Sequence, residues 1–163
     1  MTESPVELDI DSLLDESLVF CDISAADRTD LLTRLCHEAH NRGLVTEGYL
    51  EAVLDREKQY PTGLETNIIR VAVPHALDKS HVLRSAILVA KLKEPVLFKE
   101  MGEGEIDVPA EIVFLLAMNG PKVQLKILQK IVGLFTKEKA LRALKLASTP
   151  SEIVRGIKEN LDD

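Results

Sequence analysis

Apolar positions in the first third of the chain recur with the spacing of α-helices. The residues 24–42 carry one apolar stripe, formed by Leu31, Leu32, Leu35, Cys36 and Ala39. Ser24, with Asp27 three residues on, is typical of a helix N-cap, and Gly43 is expected to end this helix. A second helix is predicted from a cap at Thr46 to Pro61, with an inward stripe of Tyr49, Leu50, Val53 and Leu54.

The middle of the chain changes to short apolar runs that are typical of β-strands. Strands are predicted at residues 68–73, 86–92 and 96–98, with a turn at Glu94-Pro95 between the last two. Residues 112–118 are apolar without interruption, which favours a central strand that is covered on both faces.

The last third of the chain returns to helical spacing. A well-buried helix is predicted from Asn119-Gly-Pro121 to about Phe135, followed by short helices near residues 138–147 and 151–161, the last with Ser151 as its N-cap. Helices before and after a set of strands predict an α/β fold in a single compact domain, with a mixed β-sheet flanked by helices on both faces. We expect this domain to span residues 11–163, preceded by a loose N-terminal segment, residues 1–10.

Composition and charge narrow the classes of function. The 163 residues are 45% apolar and 29% charged, which is typical of a folded chain, and the net charge is −7. An acidic chain without a basic cluster is a poor ligand for nucleic acid or for an anionic membrane, because both require neutralisation of phosphate charge. Neither class of partner is therefore expected.

Cysteine usage and the absence of an apolar leader favour a cytoplasmic location. Cys21 and Cys36 are not spaced as a metal-binding pair, and the acidic N-terminus does not have the pattern of a signal peptide. The longest apolar run, residues 112–118, is too short to span a bilayer. We expect free thiols in a reducing compartment.

His75 is the first candidate for chemistry. It follows the predicted strand 68–73 and Pro74, and ligand sites in open α/β sheets collect at the carboxyl ends of strands. Proline stiffens the backbone that presents the ring, and an imidazole with a pKa near neutrality is a competent nucleophile. The alternative is a histidine that only caps the strand, and the spacing alone does not separate the two interpretations.

Arg56 and Glu57 occupy unexpected positions on the second predicted helix. At about 100° per residue, Glu57 falls within the apolar stripe and Arg56 at its edge. Charged side chains on an inward face are costly unless they have partners. They could form a buried ion pair or lie in a frayed last turn, or Arg56 could face an anion with Glu57 orienting it.

Two segments together resemble a known family. Arg56-Glu-Lys-Gln-Tyr-Pro-Thr-Gly-Leu64 and Val71-Ala-Val-Pro-His-Ala76 are similar to the type-2 (mannitol/fructose) enzyme IIA family of the bacterial phosphoenolpyruvate-dependent sugar phosphotransferase system. The galactitol-specific branch is the most similar, because Pro121-x-x-Gln-Leu-Lys126 recurs there as well. The resemblance extends over about residues 8–160.

The resemblance implies a phosphoryl carrier with the fold predicted above. His75 would accept a phosphoryl group from the phosphorylated carrier HPr and pass it to a cysteine of enzyme IIB, from which it reaches a sugar or polyol during uptake through the membrane permease IIC. Arg56 matches the family arginine that faces the phosphate. No cofactor and no metal is implied, and the sequence contains no P-loop for a nucleotide.

The chain departs from part of the family at a second histidine. Much of the mannitol-like branch carries a histidine where this chain has Lys122, whereas the galactitol branch has one at the position of His81. His81 is therefore expected to donate a hydrogen bond to the phosphate, the alternative being a solvated loop histidine. Lys122 shares a polar helix sector with Lys126 and Lys130, which favours a solvated face.

Other constellations are less specific. His37 and His40 are three residues apart rather than the four of a zinc-peptidase helix and lie off the apolar stripe, so a metal-dependent hydrolase that uses them with His75 ranks last. Asp107 and Glu111 are expected to be solvated.

Two further expectations concern the biological role of the chain and the surface that binds its partners. A regulatory protein of the same family, whose phosphorylation controls binding to a partner, would use the same His75. In either role, an exposed apolar ring around His75, formed by residues such as Leu77 and Val82, is expected to bind the partners.

Overall fold

Five strands form one mixed sheet in the computed structural model, which describes residues 10–76 and 79–161, without the side chains of Asp11 and Lys79. The strands are β1 (Val19–Ile23), β2 (Gly63–Leu64), β3 (Val71–Ala72), β4 (Ala86–Lys99) and β5 (Asp107–Ala117). Their order in the sheet is β1-β4-β5-β3-β2. The pairs β1/β4 and β3/β5 are parallel, and the pairs β4/β5 and β2/β3 are antiparallel.

Helices cover both faces of this sheet. They are α1 (Ile10–Leu13), α2 (Arg28–Asn41), α3 (Tyr49–Gln59), α4 (Pro121–Leu134), α5 (Glu138–Leu146) and α6 (Pro150–Lys158), with short 3-10 turns at Glu16–Leu18 and Lys79–His81. One core packs α1, α4, α5 and α6 against the sheet, and a second core packs α2 and α3 against the opposite face. The predicted α/β fold with a mixed sheet between helices is confirmed.

Strand β5 shows why the continuous apolar run at residues 112–118 was informative. Ile112, Phe114 and Leu116 face the first core, whereas Val113 and Leu115 face the second. Because β5 lies between β4 and β3, every side chain from 112 to 117 is buried. The prediction of a central strand covered on both faces is confirmed.

Strand β4 differs from its prediction. The expected turn at Glu94-Pro95 is wrong, because one strand continues from Ala86 to Lys99. Its register against β5 shifts between Lys91 and Val96, and a local irregularity of this kind accommodates a proline that has no N–H to donate. The strand predicted at 68–73 is shorter than expected, and the short strands β1 and β2 were not predicted.

The predicted start of helix α2 is also displaced. Asp27 rather than Ser24 is the N-cap, and its carboxylate accepts the Asp30 N–H at 2.8 Å. The Asp30 carboxylate in turn accepts the Ala26 N–H at 2.9 Å, so that the two acidic residues cap the helix reciprocally. Gly43 follows the helix with φ +72°, as its predicted role as a terminator requires.

Two further caps lie a few residues from their expected positions. Helix α3 starts after Gly48, so Thr46 is not its N-cap. Helix α6 is capped by Thr149, whose hydroxyl oxygen accepts the Glu152 N–H at 3.1 Å, with Pro150 as the first helical residue. The expected cap at Ser151 is therefore wrong by two residues.

Glu111 corrects the expectation that the carboxylates of strand β5 are solvated. It is partly buried, accepts the Arg70 backbone N–H at 3.0 Å and pairs with the Lys145 ammonium group. Asp107 is more exposed and pairs with Lys99 at 2.7 Å. Both carboxylates therefore have partners within the chain.

Within 10–76 and 79–161, no helix is long and apolar enough to cross a membrane. Most of the N-terminal segment expected to be loose lies outside the described residues. Its last residue, Ile10, is buried and begins helix α1.

Candidate functional site

His75 lies where two parallel strands end. Its backbone continues from β3 and forms a β-bridge with Leu116 near the end of β5, and the Leu116 N–H donates to the Pro74 carbonyl at 3.0 Å. The residue is 6% exposed. The central strand of the sheet therefore fixes the backbone that presents the imidazole ring.

One hydrogen bond determines which ring nitrogen of His75 is available. Nδ1 lies 2.8 Å from the carbonyl oxygen of Val73. A carbonyl can only accept, so Nδ1 carries the hydrogen and Nε2 of the neutral ring carries a lone pair. Burial, and to a smaller extent the nearby Arg56 charge, lowers the pKa of His75, while the bond to Val73 opposes the shift. At neutral pH the ring is therefore uncharged, and Nε2 carries the free lone pair.

A cleft of about 400 Å³ brings His75 and Arg56 together. Its walls are formed by Arg56, Gln59, Tyr60, Pro61, Thr62, His75, Met101, Gly102, Gly104 and Leu128. A cleft of similar volume, about 440 Å³, lies along the C-terminal half of α4, but its lining contains neither histidine nor cysteine. The His75 cleft thus places a buried imidazole and a guanidinium on one surface.

The Arg56 side chain is held in an unusual environment. Its guanidinium carbon lies 4.1 Å from the centre of the Tyr60 ring, and its buried Nε has no hydrogen-bond partner in the described part of the chain. A buried N–H without a partner is rare in folded proteins, and Arg56 is one of the residues that line the cleft. A guanidinium beside a neutral imidazole in a cleft suits an anion with several oxygen atoms.

Glu57 has a different role from the one expected. It is 5% exposed, and its two carboxylate oxygens accept the Thr62 N–H at 2.9 Å and the Thr62 hydroxyl at 2.7 Å. Burial raises the pKa of Glu57, while these bonds and the charges of Arg28 and Arg56 oppose the shift. The interpretations of residues 56 and 57 as a buried ion pair or as a frayed helix end are both wrong, because Glu57 pairs with Thr62 and α3 continues to Gln59.

The Pro-Thr-Gly turn has a physical reason at each position. Pro61 follows the end of α3, and Thr62 satisfies the Glu57 carboxylate. A Cβ at Gly63 would lie 2.7 Å from the Lys99 carbonyl oxygen and 3.0 Å from Val108 Cβ, so only glycine fits there. The Gly63 carbonyl accepts the Met101 N–H at 2.8 Å, which holds Met101 at the edge of the cleft.

The third predicted site residue, His81, lies apart from this cleft. Its Nδ1 is 2.9 Å from the Thr46 hydroxyl, and its ring covers Gly48, where an added Cβ would lie 2.5 Å from His81 Cε1. The structure therefore brings His75 and Arg56 together but places His81 against the start of α3. Lys122 is exposed on the first turn of α4, as the polar sector of that helix predicts.

The expected apolar docking ring is partly wrong. Val82 is buried and forms a β-bridge with Val45, so it cannot contact a partner, and Leu77 lies outside the described residues. Other apolar side chains are exposed: Tyr60 and Met101 line the cleft, and Leu125 is 57% exposed on α4. Helix α4 is thus less completely buried than its apolar composition predicted.

The histidines of α2 and the buried cysteine show no arrangement for chemistry within the described residues. His37 and His40 are both exposed on α2, and within the described ranges no group of three or more His, Cys, Asp and Glu side chains is placed to hold a metal. Cys36 is buried, and burial raises the pKa of its thiol to about 12, which makes the thiolate inaccessible at neutral pH.

A family model for "Phosphoenolpyruvate-dependent sugar phosphotransferase system, EIIA 2" matches residues 12–160. The chain belongs to this type-2 EIIA family. The members of the family are phosphotransferase-system components that transfer phosphoryl groups, so the resemblance seen in the sequence is confirmed.

Individual relatives refine this assignment. The galactitol-specific EIIA component of Escherichia coli (strain K12) is 31% identical over 111 residues, which are 68% of this chain and 73% of that protein. The transcriptional regulator ManR of Bacillus subtilis (strain 168) is 34% identical over 101 residues, 62% of this chain and 14% of that protein. The complex of enzyme IIAMTL and phosphorylated enzyme IIBMTL from Escherichia coli contains a chain of the same fold, with a TM-score of 0.74, 24% identity and coverage of 90% of this chain and 97% of that chain.

Proposed function

We propose that this type-2 EIIA chain carries a phosphoryl group on Nε2 of His75. The observation that supports the proposal most strongly is the bond from His75 Nδ1 to the Val73 carbonyl, which leaves Nε2 as the reactive nitrogen beside Arg56. The donor is the phosphohistidine of HPr and the acceptor is a cysteine of a cognate enzyme IIB, both in the cytoplasm. The phosphoryl group then reaches a polyol as it enters through the permease IIC.

The chemistry of both transfers balances without a metal or a nucleotide. In the first transfer the Nε2 lone pair forms a bond to phosphorus as the P–N bond of the donor breaks, and the donor imidazole keeps the bonding electrons. Nδ1 keeps its hydrogen, and the Val73 carbonyl stabilises the positive charge that the phosphorylated ring gains. In the second transfer a thiolate forms an S–P bond as the N–P bond breaks, which returns His75 to its neutral form.

Arg56 supplies electrostatic stabilisation in this proposal. Phosphoryl transfer requires little covalent help from a protein beyond a positioned nucleophile and compensation of charge on the equatorial oxygens. The buried Nε of Arg56 has no partner in the described residues, so it can donate to such an oxygen without breaking an existing bond. This is the physical advantage of leaving the donor unpaired.

His81 is retained as a proposed supporting group. His81 is not part of the lining of the His75 cleft, and its Nδ1 is engaged with the Thr46 hydroxyl, so a hydrogen bond to a phosphate on His75 would come from Nε2 after a movement of the ring toward the cleft. His81→Ala would slow transfer if that movement occurs in the phosphorylated state. An unchanged rate would assign His81 to the packing of the loop against α3.

The relatives suggest the substrate class and a second candidate role. Similarity to the galactitol-specific component favours a hexitol or related polyol. Similarity to ManR favours a regulatory role in which phosphorylation of His75 changes binding to another protein. The two roles differ in what accepts the phosphoryl group.

A transfer assay to enzyme IIB tests the proposed role. The chain is phosphorylated with phosphoenolpyruvate, enzyme I and HPr, separated from them, and mixed with a galactitol-type enzyme IIB. Loss of the phosphate from His75 and its appearance on the IIB cysteine would support the transport role. A phosphorylated chain that keeps its phosphate with galactitol-type, mannitol-type and fructose-type IIB proteins would favour the regulatory role.

A further inference from the structure

A chain of hydrogen bonds connects the buried carboxylate of Glu57 to the imidazole of His75. The Glu57 carboxylate accepts both the N–H and the hydroxyl of Thr62, at 2.9 and 2.7 Å. The Thr62 carbonyl accepts the Val73 N–H at 3.2 Å. The Val73 carbonyl accepts the Nδ1 hydrogen of His75 at 2.8 Å.

Thr62 lies at the centre of this series of hydrogen bonds. It is 1% exposed, and its amide N–H, hydroxyl and carbonyl oxygen each bond to a different atom of Glu57 or Val73. Because Glu57 belongs to α3 and Val73 follows β3, Thr62 fixes the distance between a helix and the strand end that presents His75. Such outer hydrogen bonds determine how precisely an inner group is oriented.

We propose that Glu57 is a positioning residue for His75, which acts through Thr62 to hold the Val73 carbonyl against Nδ1. This inference rests on the proposed role of His75 as the phosphoryl acceptor. If the neutral ring carried its hydrogen on Nε2 instead, the Nδ1 lone pair would face the Val73 carbonyl oxygen, and the two would repel. If the Val73 carbonyl is displaced, the preference for the Nδ1–H tautomer is lost. The ring can then adopt the Nε2–H tautomer, in which Nε2 has no lone pair to attack phosphorus.

Thr62→Val tests the connection with the smallest change of shape. It removes the hydroxyl bond to Glu57 and keeps the backbone bonds possible. We expect a larger fraction of the Nε2–H tautomer of His75 and a rate of phosphoryl acceptance that is lower by about tenfold or more. Thr62→Ser restores the hydroxyl and is expected to restore both the tautomer and the rate.

Thr66→Val is the matched control. The Thr66 hydroxyl also bonds within the protein, to the Ile69 carbonyl, and Thr66 lies only four residues after Thr62, between β2 and β3. Thr66 is not part of the series of hydrogen bonds that connects Glu57 to His75. The control is expected to change the free energy of unfolding but to leave the His75 tautomer and the rate unchanged.

The readout that separates positioning from general stability is the ¹⁵N NMR spectrum of the His75 ring, measured on the folded, unphosphorylated protein. Wild-type tautomer populations in folded Thr62→Val, with a wild-type rate, would overturn the proposal. If Thr62→Val does not fold, the comparison of Thr62→Ala with Thr62→Ser replaces it under the same criteria. If wild type accepts no phosphate, the proposed function fails, but the ¹⁵N comparison still decides whether Glu57 and Thr62 set the tautomer.

Glu57→Gln distinguishes position from charge. Its amide can accept the Thr62 N–H and donate to the Thr62 hydroxyl oxygen, so the connection is kept and the negative charge is lost. We expect the wild-type tautomer and a rate close to wild type. A loss as large as that of Thr62→Val would mean that the charge of Glu57 is what matters and would overturn the positioning account.

Discussion

Nδ1 of His75 donates a hydrogen bond to the carbonyl oxygen of Val73, two residues earlier in the chain, and the two atoms are 2.8 Å apart. The bond assigns the roles of the two ring nitrogens before any partner arrives. We therefore predict that the phosphoryl group is carried on Nε2, as a phosphoramidate that is labile in acid and stable in alkali. Two-dimensional ¹H–¹⁵N NMR of the phosphorylated protein distinguishes the two positions. A phosphate on Nδ1 would contradict the account.

The ionisation of His75 gives a second prediction. Burial lowers its pKa below the ordinary value of 6.5, so the unfolded chain takes up the proton at a higher pH than the folded chain does. The stability from the neutral ring is therefore fully present above pH 6.5 and is lost as the pH falls through the folded-state pKa. Chemical denaturation of wild type and His75→Gln at a series of pH values should show wild type losing stability relative to the variant below pH 6.5. A gain in the stability of wild type relative to the variant below pH 6.5 would contradict the prediction.

Arg56→Lys should separate the charge of the arginine from its geometry. Lysine keeps the positive charge but does not present the fork of N–H donors, so we expect phosphoryl acceptance to slow by about a hundredfold. The loss of stacking on Tyr60 should cost no more than about 1 kcal/mol of unfolding free energy. Arg34→Lys on the exposed surface of α2 is the control and should leave the rate unchanged. Equal rates for Arg56→Lys and wild type would remove Arg56 from the proposed mechanism.

Gly63→Ala tests the close contact between strand β2 and the end of β4. The added Cβ would lie 2.7 Å from the backbone oxygen of Lys99, and we expect a loss of about 1–3 kcal/mol in unfolding free energy. Gly133→Ala in α4 is the matched control, because nothing lies within 4 Å of its Cβ and alanine is favoured by up to about 1 kcal/mol in a helix. Denaturant unfolding should thus show opposite signs for the two variants. A neutral Gly63→Ala would mean that β2 can move away from Lys99.

Much of the fold could be predicted from the chain because its apolar runs are long. The run at residues 112–118 and the stripes of α2 and α3 identified the central strand and the helices on one face. Strand β1 was missed because it is five residues long and contains Asp22 at φ +59°. The continuation of β4 through Pro95 was missed because a register shift against β5, which local sequence does not reveal, accommodates the proline.

The residues of the site could be predicted only where the neighbouring sequence alone indicated them. His75 at a strand end and Arg56 at the edge of an apolar stripe were visible in the sequence, and the structure places both on one cleft. The sequence showed Glu57 as a charged residue within an apolar stripe. Its hydrogen bond with Thr62 was not predicted, even though the two residues are only five positions apart. The pairing of His81 with Thr46 joins residues 35 apart, and only the folded chain brings them together.

The central claim is that His75 receives the phosphoryl group, and intact-mass spectrometry tests it most directly. The chain is incubated with phosphoenolpyruvate, enzyme I and HPr, beside His75→Ala and Arg34→Lys that have been shown to be folded. The account predicts a single added phosphate on wild type and on Arg34→Lys, and none on His75→Ala. A phosphate that persists on His75→Ala, or no phosphate on folded wild type, would contradict it.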